Sequence, residues 1–410
     1  MATATPGTAG LPLIIANELA RGAVERAIAD VCQQHLGRNL RALILTGSLA
    51  RGEFSLTTDT SGVQFLSDAE FIGILDDSAL LPSLPETCRL ATATEKRLEA
   101  EKSYCHISLS FAHQDFLRNM APHIFGYELK ACGKVLTGDR QILSSIPAFA
   151  PEDIPAQDGW QILSNRVIEL IEAVSKCQEA APSEEVAYRT MKLHLDMGTS
   201  LLLFLGGFTA SYTERSRRLS DISAERRVGS LPFDLVEFAK TVDIYTAKKL
   251  NSRSSDIKET WQSVRAACDR AFYLWIWELQ QMTASGGRSP KELCLRLARL
   301  QPVAKRVRGW CFVARHQGWA RSFRGWPRWA GLSVRSSPRY WVYAATGEIL
   351  LQRDLLLTQP LVENGGSHLM DLWKMLPCVP CPFNETLNSA TAFLSALAWN
   401  YHEFLEGTRG

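Results

Sequence analysis

The stretch Thr46–Leu75, TGSLARGEFSLTTDTSGVQFLSDAEFIGIL, holds the residue types best suited to chemistry in this 410-residue sequence. Gly47 lets a backbone approach a ligand closely, and Ser48 adds a hydroxyl donor. A helix beginning after Gly47 would aim unpaired N–H groups at a phosphate. Asp68 and Glu70 stand two apart at the head of an apolar run. Residues two apart on a strand project from one face, so these carboxylates would lie side by side. Adjacent carboxylates repel unless a cation lies between them, and Mg²⁺ takes such oxygen ligands while also binding phosphates. An anion cradle beside a carboxylate pair is the equipment of metal-assisted nucleotidyl transfer. The plainer alternative is a surface loop and a solvated acidic strand end.

Several elements must position these residues. Ala16–His35 has apolar residues at helical spacing (Leu19, Ala23, Ala27, Ile28, Val31). Arg41–Leu45 reads as a strand entering the turn at Thr46-Gly47-Ser48, and Glu70–Leu75 as a second strand. Phe54–Leu66, between them, reads as an inserted loop. Ser103–Phe111 alternates, with Cys105, Ile107, Leu109 and Phe111 on one face and Tyr104, His106, Ser108 and Ser110 on the other. Strands separated by helical segments predict an α/β N-terminal domain, a mixed sheet with flanking helices, over residues 15–147. After a Pro- and Gly-bearing linker at Ala148–Gly159 the spacing turns helical. Stripes at Ile162–Val174, Val186–Leu205 and Trp261–Leu279 predict mainly α-helical domains, one over 158–285 and a basic, Trp-rich one over 290–410 that closes with a helix at Leu387–Leu405.

At the Gly47–Glu70 residues the sequence resembles the DNA polymerase beta-like nucleotidyltransferase superfamily. Its signature is a Gly-Ser turn after a strand, then Asp-x-Asp or Asp-x-Glu on the next strand. The form here, G-S-L-A-R-G-E followed by S-D-A-E, is most similar to bacterial aminoglycoside-type and related small nucleotidyltransferases, over about residues 15–145. The resemblance implies that Gly47, Ser48 and Arg51 contact the triphosphate of an NTP (ATP favoured). It implies that Asp68 and Glu70 bind two Mg²⁺ ions, or Mn²⁺, while an acceptor hydroxyl attacks the α-phosphate and pyrophosphate leaves. The family's third carboxylate belongs on a later strand, where this sequence offers His106 and Ser108. His106 is then either a general base, since imidazole titrates near neutral pH, or an ordinary strand histidine. The missing acid leaves two outcomes: an active enzyme, or a catalytically impaired relative that keeps nucleotide binding as an interaction module.

Poly(A)-polymerase-like relatives carry a lysine on one helix and Ser-Tyr on the next, both on the triphosphate. Lys192 and Ser211-Tyr212 have that order, although Lys192 and Asp196 also read as an (i, i+4) ion pair on a solvated face. Glu128 and Lys130, in a segment similar to the one that closes the catalytic domain in this family, read as surface charges. Between Leu293 and Gly347 there is no Asp or Glu but eleven Lys or Arg, within a chain of net charge +2. Lys305–Trp341 adds five of the eleven tryptophans. Interleaved Arg and Trp suit an anionic ligand, nucleic acid or an anionic membrane surface. The alternative is tryptophans packed inward under arginine stems. Cys378 and Cys381 have the spacing of a zinc or redox pair but lack a second pair nearby, so they read as buried thiols in a loop. Ten scattered cysteines, no apolar run near the roughly 20 residues of a membrane span, and no basic-then-apolar start predict a cytoplasmic chain without a transmembrane segment.

Overall fold

A computed structural model describes residues 13–59, 61–177, 179–225, 231–251, 258–286, 289–317, 329–352, 366–378 and 390–406. The chain divides into two compact units. The first comprises Met1–Pro155 with Phe208–Arg215 and Thr246–Asp256, and the second comprises Ala156–Gly207, Ser216–Tyr245 and Ile257–Gly410.

In the first unit, helix α1 (Leu13–Leu36) precedes strand β1 (Leu40–Thr46), the short helix α2 (Gly47–Arg51), β2 (Leu56–Asp59), β3 (Gly62–Phe65) and β4 (Ala69–Leu75). Then follow α3 (Leu84–Ala100), β5 (Ser103–Tyr104), β6 (Ile107–His113), α4 (Gln114–Arg118), α5 (Ile124–Cys132) and β7 (Lys134–Gly138). Four strands form a mixed sheet in the order β6-β4-β1-β7. Strand β1 runs antiparallel to β4 and β7, and β4 runs parallel to β6. The two faces of the sheet carry separate cores. Leu43, Leu45, Phe71 and Ile107 join Val24 and Ile28 of α1 and Leu98 of α3 on one side. Ala42, Ile44, Ile72 and Ile74 join Leu117 of α4 and Leu129 of α5 on the other. That is why RALIL and EFIGIL are nearly continuous apolar runs: their strands are covered on both faces. Each such Leu or Ile side chain contributes about 1.5–3 kcal/mol by leaving water.

Two local expectations are corrected. Phe54–Leu66 is no loop: β2 and β3 pair antiparallel from Leu56↔Phe65 to Asp59↔Gly62, and Phe54 stacks on Phe65 at 5.6 Å. Gly62, at φ +144°, lies so close to the Lys102 carbonyl that a Cβ would fall 2.0 Å from it. The segment Ser103–Phe111 is also two strands. Ser103 and Tyr104 join β3 in a second, three-stranded sheet, and the chain crosses to the main sheet at Cys105–His106.

The second unit is helical: α6 (Ala156–Lys176), α7 (Glu184–Phe204), most of α8 (Tyr212–Glu225) and α9 (Leu235–Asn251), α10 (Trp261–Thr283), α11 (Pro290–Arg299), α12 (Val303–Gln317), and helices at Pro338–Leu351, Gly366–Trp373 and Ala390–Glu406. The break predicted near Ala284–Pro290 has a local cause. Ala284 at φ +48° ends α10, and Ser289 caps α11 with Pro290 in its first turn. Trp160, Trp275, Tyr340 and Tyr343 meet at ring separations of 5.2–6.0 Å in the core. Gly347 admits the Trp275 ring, because a Cβ there would lie 2.5 Å from it. No helix among the described residues is long and apolar enough to cross a membrane.

Within this core Glu278 is fully buried, and neither its carboxyl nor the nearby Ser200 hydroxyl makes a hydrogen bond of ordinary geometry among the described residues. Burial pushes the Glu278 carboxyl from its ordinary 4.5 to about 8, against a weaker opposing effect of Ser200. Between pH 4.5 and about 8 the folded chain therefore holds a proton that the unfolded chain has lost. Stability from this group is fully present below pH 4.5 and falls as pH rises through that window. Glu278→Gln is expected to be more stable than the native chain above pH 8 by about 5 kcal/mol, with no gain at pH 4. Urea midpoints of both proteins across pH test this, and parallel curves would refute it.

Candidate functional site

Strand β1 ends at Thr46, which pairs with Glu70 on β4, and Glu70 pairs in turn with Ser108 on β6. Gly47, at φ +68°, then turns the chain into α2, which Gly52 ends in the left-handed conformation at φ +71°. The turn lies against Glu70: a Cβ on residue 47 would sit 3.0–3.2 Å from the Glu70 carboxylate atoms. Exposure alternates here: Asp68, just before β4, and Glu70 are exposed, while Ala69 and Phe71 are buried. The Asp68 charge also acts on Cys105, whose thiol burial pushes up to about 12, with the Ala69 backbone opposing and Asp68 and Glu95 reinforcing. Ser48 is half-buried in α2, and its carbonyl accepts from the Glu53 N–H at 2.9 Å.

His106 precedes β6, and its carbonyl accepts from the Ala69 N–H at 2.9 Å. Its largely exposed ring places Nδ1 3.0 Å from Glu95 Oε1 on α3, and that same oxygen accepts from the Ile107 N–H at 2.9 Å. Glu95, anchored by the backbone, thus orients the imidazole. Among the described residues, no cluster of three or more His, Cys, Asp or Glu side chains is arranged to hold a metal ion. In strand register, Ser108 stands beside Glu70.

Arg51 belongs to a buried ionic network that sequence reasoning missed. Its Nε donates to Glu53 Oε2 at 3.1 Å and its Nη1 to Glu128 Oε2 at 2.8 Å. Glu53 also accepts from the Tyr212 N–H at 3.0 Å, the Thr213 N–H at 3.0 Å and the Thr213 hydroxyl at 3.1 Å. Glu128 pairs a second time with Arg215, whose Nε donates to the Thr209 carbonyl at 2.7 Å. The Tyr212 ring lies between the two guanidiniums, at 5.4 Å from Arg51 and 5.1 Å from Arg215. Burial opposes the Arg51 charge, but Glu128, Tyr212 and Glu53 together raise its pKa. Glu128 is thus no surface charge, whereas Lys130 is exposed as expected, its Nζ donating to the Ile146 carbonyl at 2.6 Å. Ser211 caps α8 by accepting from the Glu214 N–H at 3.1 Å.

Lys249 was also not anticipated. Only 2% exposed, it donates from Nζ to Ser67 Oγ at 2.8 Å and to Ser55 Oγ at 3.2 Å, directly behind the Asp68 end of β4. Lys192 lies in the second unit, where it stacks on Tyr188 at 5.3 Å. Its supposed partner Asp196 is buried and pairs instead with Arg166 at 2.6 Å. Burial raises the Glu169 pKa, but Arg166, Lys192 and Arg189 together hold it below the ordinary value.

The basic, Trp-rich stretch is described only in part. Trp310, Trp329 and Trp341 are buried, and their indole N–H groups donate to the carbonyls of Ser336, Pro377 and Leu332 at 2.8–3.1 Å. Trp319 and Trp326 lie outside the described residues. Cys378 is buried, and Cys381 also lies outside them. No protein-family profile matches this sequence, and no curated protein matches it.

Removing Glu53 would leave the buried Arg51 and two backbone N–H groups without their carboxylate. Glu53→Ala is expected to cost about 3–5 kcal/mol of stability, whereas His106→Ala, at an exposed ring, should stay within about 0.5 kcal/mol. Chemical denaturation of the two variants against the native chain measures the contrast.

Proposed function

We propose that the first unit is a metal-dependent nucleotidyltransferase domain of the DNA polymerase beta-like kind, moving NMP, with AMP favoured, from an NTP to an acceptor hydroxyl. The observation that carries this reading is the close approach of the Gly47 turn to the Glu70 carboxylate, with Asp68 exposed two residues before Glu70. A glycine turn against an acid at the head of a strand is suited to bring phosphate and metal together.

The donor set fits Mg²⁺: Asp68, Glu70 and the neighbouring Ser108 hydroxyl supply hard oxygen atoms, and Mg²⁺ is commonly held by one or two carboxylates together with substrate phosphates. Bound there, the ion would neutralise charge that builds on the phosphates during transfer. Two carboxylates fit one such ion better than two. The chain's own groups do the rest. Gly47 leaves room for phosphate oxygens beside the turn. Glu95, held by the Ile107 N–H, fixes the His106 ring by its Nδ1 and leaves Nε2 as the nitrogen able to accept a proton from an acceptor hydroxyl. Arg51, spent on Glu53 and Glu128, supports the turn from behind rather than reaching for a phosphate.

The second reading is an impaired relative that binds nucleotide without turning it over. Ser108 beside Glu70, in place of an acid, favours it. Pyrophosphate release from the four NTPs with Mg²⁺ or Mn²⁺, over a panel of hydroxyl acceptors, separates the two. Under the first reading Asp68→Asn and Glu70→Gln each lose about 10²–10³-fold in rate, as expected when several kcal/mol of charge stabilisation disappears. Under the second, the native chain binds NTP without releasing pyrophosphate, and Ser108→Asp brings turnover up from background. A native chain that neither binds nor turns over any NTP would end both.

A further inference from the structure

The inward turn of Trp310, Trp329 and Trp341 changes what the basic stretch can bind. With these rings in the core, the exposed side chains among the described residues of the same region are mainly aliphatic and cationic. On α12, Trp310, Val313 and Ala314 face the core, while Val303, Val307 and Cys311 follow one another at four-residue intervals on an exposed face. Val303 is 63% exposed and Val307 55%, and Leu300, just before the helix, is 68% exposed. A second aliphatic residue group adjoins them. Arg306 Nη1 donates to the Val334 carbonyl at 3.5 Å, and Val334 is itself 78% exposed. Lys305, Arg308, Arg315 and Arg335 are exposed around this surface, and no acid lies anywhere between Leu293 and Gly347.

Exposed aliphatic residues in a row on one helix cost free energy in water, and a soluble surface of like charge alone would not need them. We propose that this face of the second unit lies on an anionic membrane surface, with Val303, Val307 and Leu300 entering the headgroup–acyl boundary and the lysine and arginines pairing with lipid phosphates. Two features favour lipid over nucleic acid. Sequence-tolerant binding of single strands relies on aromatic side chains that stack bases, and the tryptophans described here are buried. Valine and leucine bring nothing to a phosphodiester chain but gain from an acyl boundary. An amphipathic helix with a basic flank lies in the interface without spanning it, in keeping with its length of 15 residues.

The test is co-sedimentation of the full-length protein with vesicles of phosphatidylcholine alone or mixed with phosphatidylglycerol. Binding is expected only with the anionic lipid, and it should weaken steeply as salt is added. Each removed cation is worth roughly fivefold in partitioning, so Lys305→Gln with Arg315→Gln should lose about 25-fold. Val307→Asp, on a solvent-facing position, should lose at least as much while its far-ultraviolet circular dichroism stays native. Several results would overturn the proposal: no partition onto anionic vesicles at low salt, equal partition by native and Val307→Asp proteins, binding of single-stranded RNA without vesicle binding, or a self-association that Val307→Asp breaks without vesicle binding.

Discussion

The arrangement of the first unit depends on a steric limit at one backbone position. Strand β1 must end where its last residue pairs with Glu70, and the next residue must reverse direction within van der Waals reach of that carboxylate. Any side chain there would meet Glu70 at 3.0–3.2 Å while also holding a left-handed φ of +68°. Only glycine satisfies both demands at low cost. The consequence runs outward: α2 starts at a defined point, its five residues bring Arg51 round to Glu53, and Glu70 of β4 stays beside the turn.

The charge network around Arg51 turns a weak local structure into a firm one. A five-residue helix has almost no stability of its own, since nucleation costs more than one turn of hydrogen bonds returns. Here the helix is held by side chains instead. Glu53 gathers the backbone N–H groups of Tyr212 and Thr213 together with Arg51, and Glu128 joins Arg51 to Arg215. In the interior, each carboxylate is stabilised by more than one donor, which is the condition under which buried ion pairs are tolerated. Residues 208–215 fall in the first unit for the same reason: their polar groups are the partners of Glu53 and Glu128.

The second unit treats buried polarity in two ways. The Arg166, Glu169, Arg189 and Asp196 set is mutually compensated. Glu278 has no such counterpart among the described residues, and burial pushes its carboxyl pKa up. Four buried indoles follow the compensated pattern, since Trp275, Trp310, Trp329 and Trp341 each donate to an oxygen in the core, whereas the buried Trp160 N–H has no hydrogen-bond partner among the described residues.

Periodicity marked several elements of both units, because hydrophobic spacing is a local consequence of which face meets a core. The apolar run Arg41–Leu45 within β1, the acids two apart at the head of β4, the alternation about Ile107 and the helical stripes beyond residue 156 could all be read in the chain. The exposure of Asp68 and Glu70 about a buried Ala69 follows the same spacing of two. The hairpin at Leu56–Phe65 escaped because its pairing partner and the close approach at Lys102 lie elsewhere in the chain. Charge partners escaped for the same reason. Glu53 finds Tyr212 across 159 residues, Lys249 finds Ser67 across 182, and Asp196 takes Arg166 rather than its own helical neighbour. Which donor satisfies a buried charge is decided by what the folded chain brings within 3 Å, and no local spacing encodes that. Tertiary packing likewise decided that the described tryptophans of the basic stretch face inward, leaving valines and arginines on its surface.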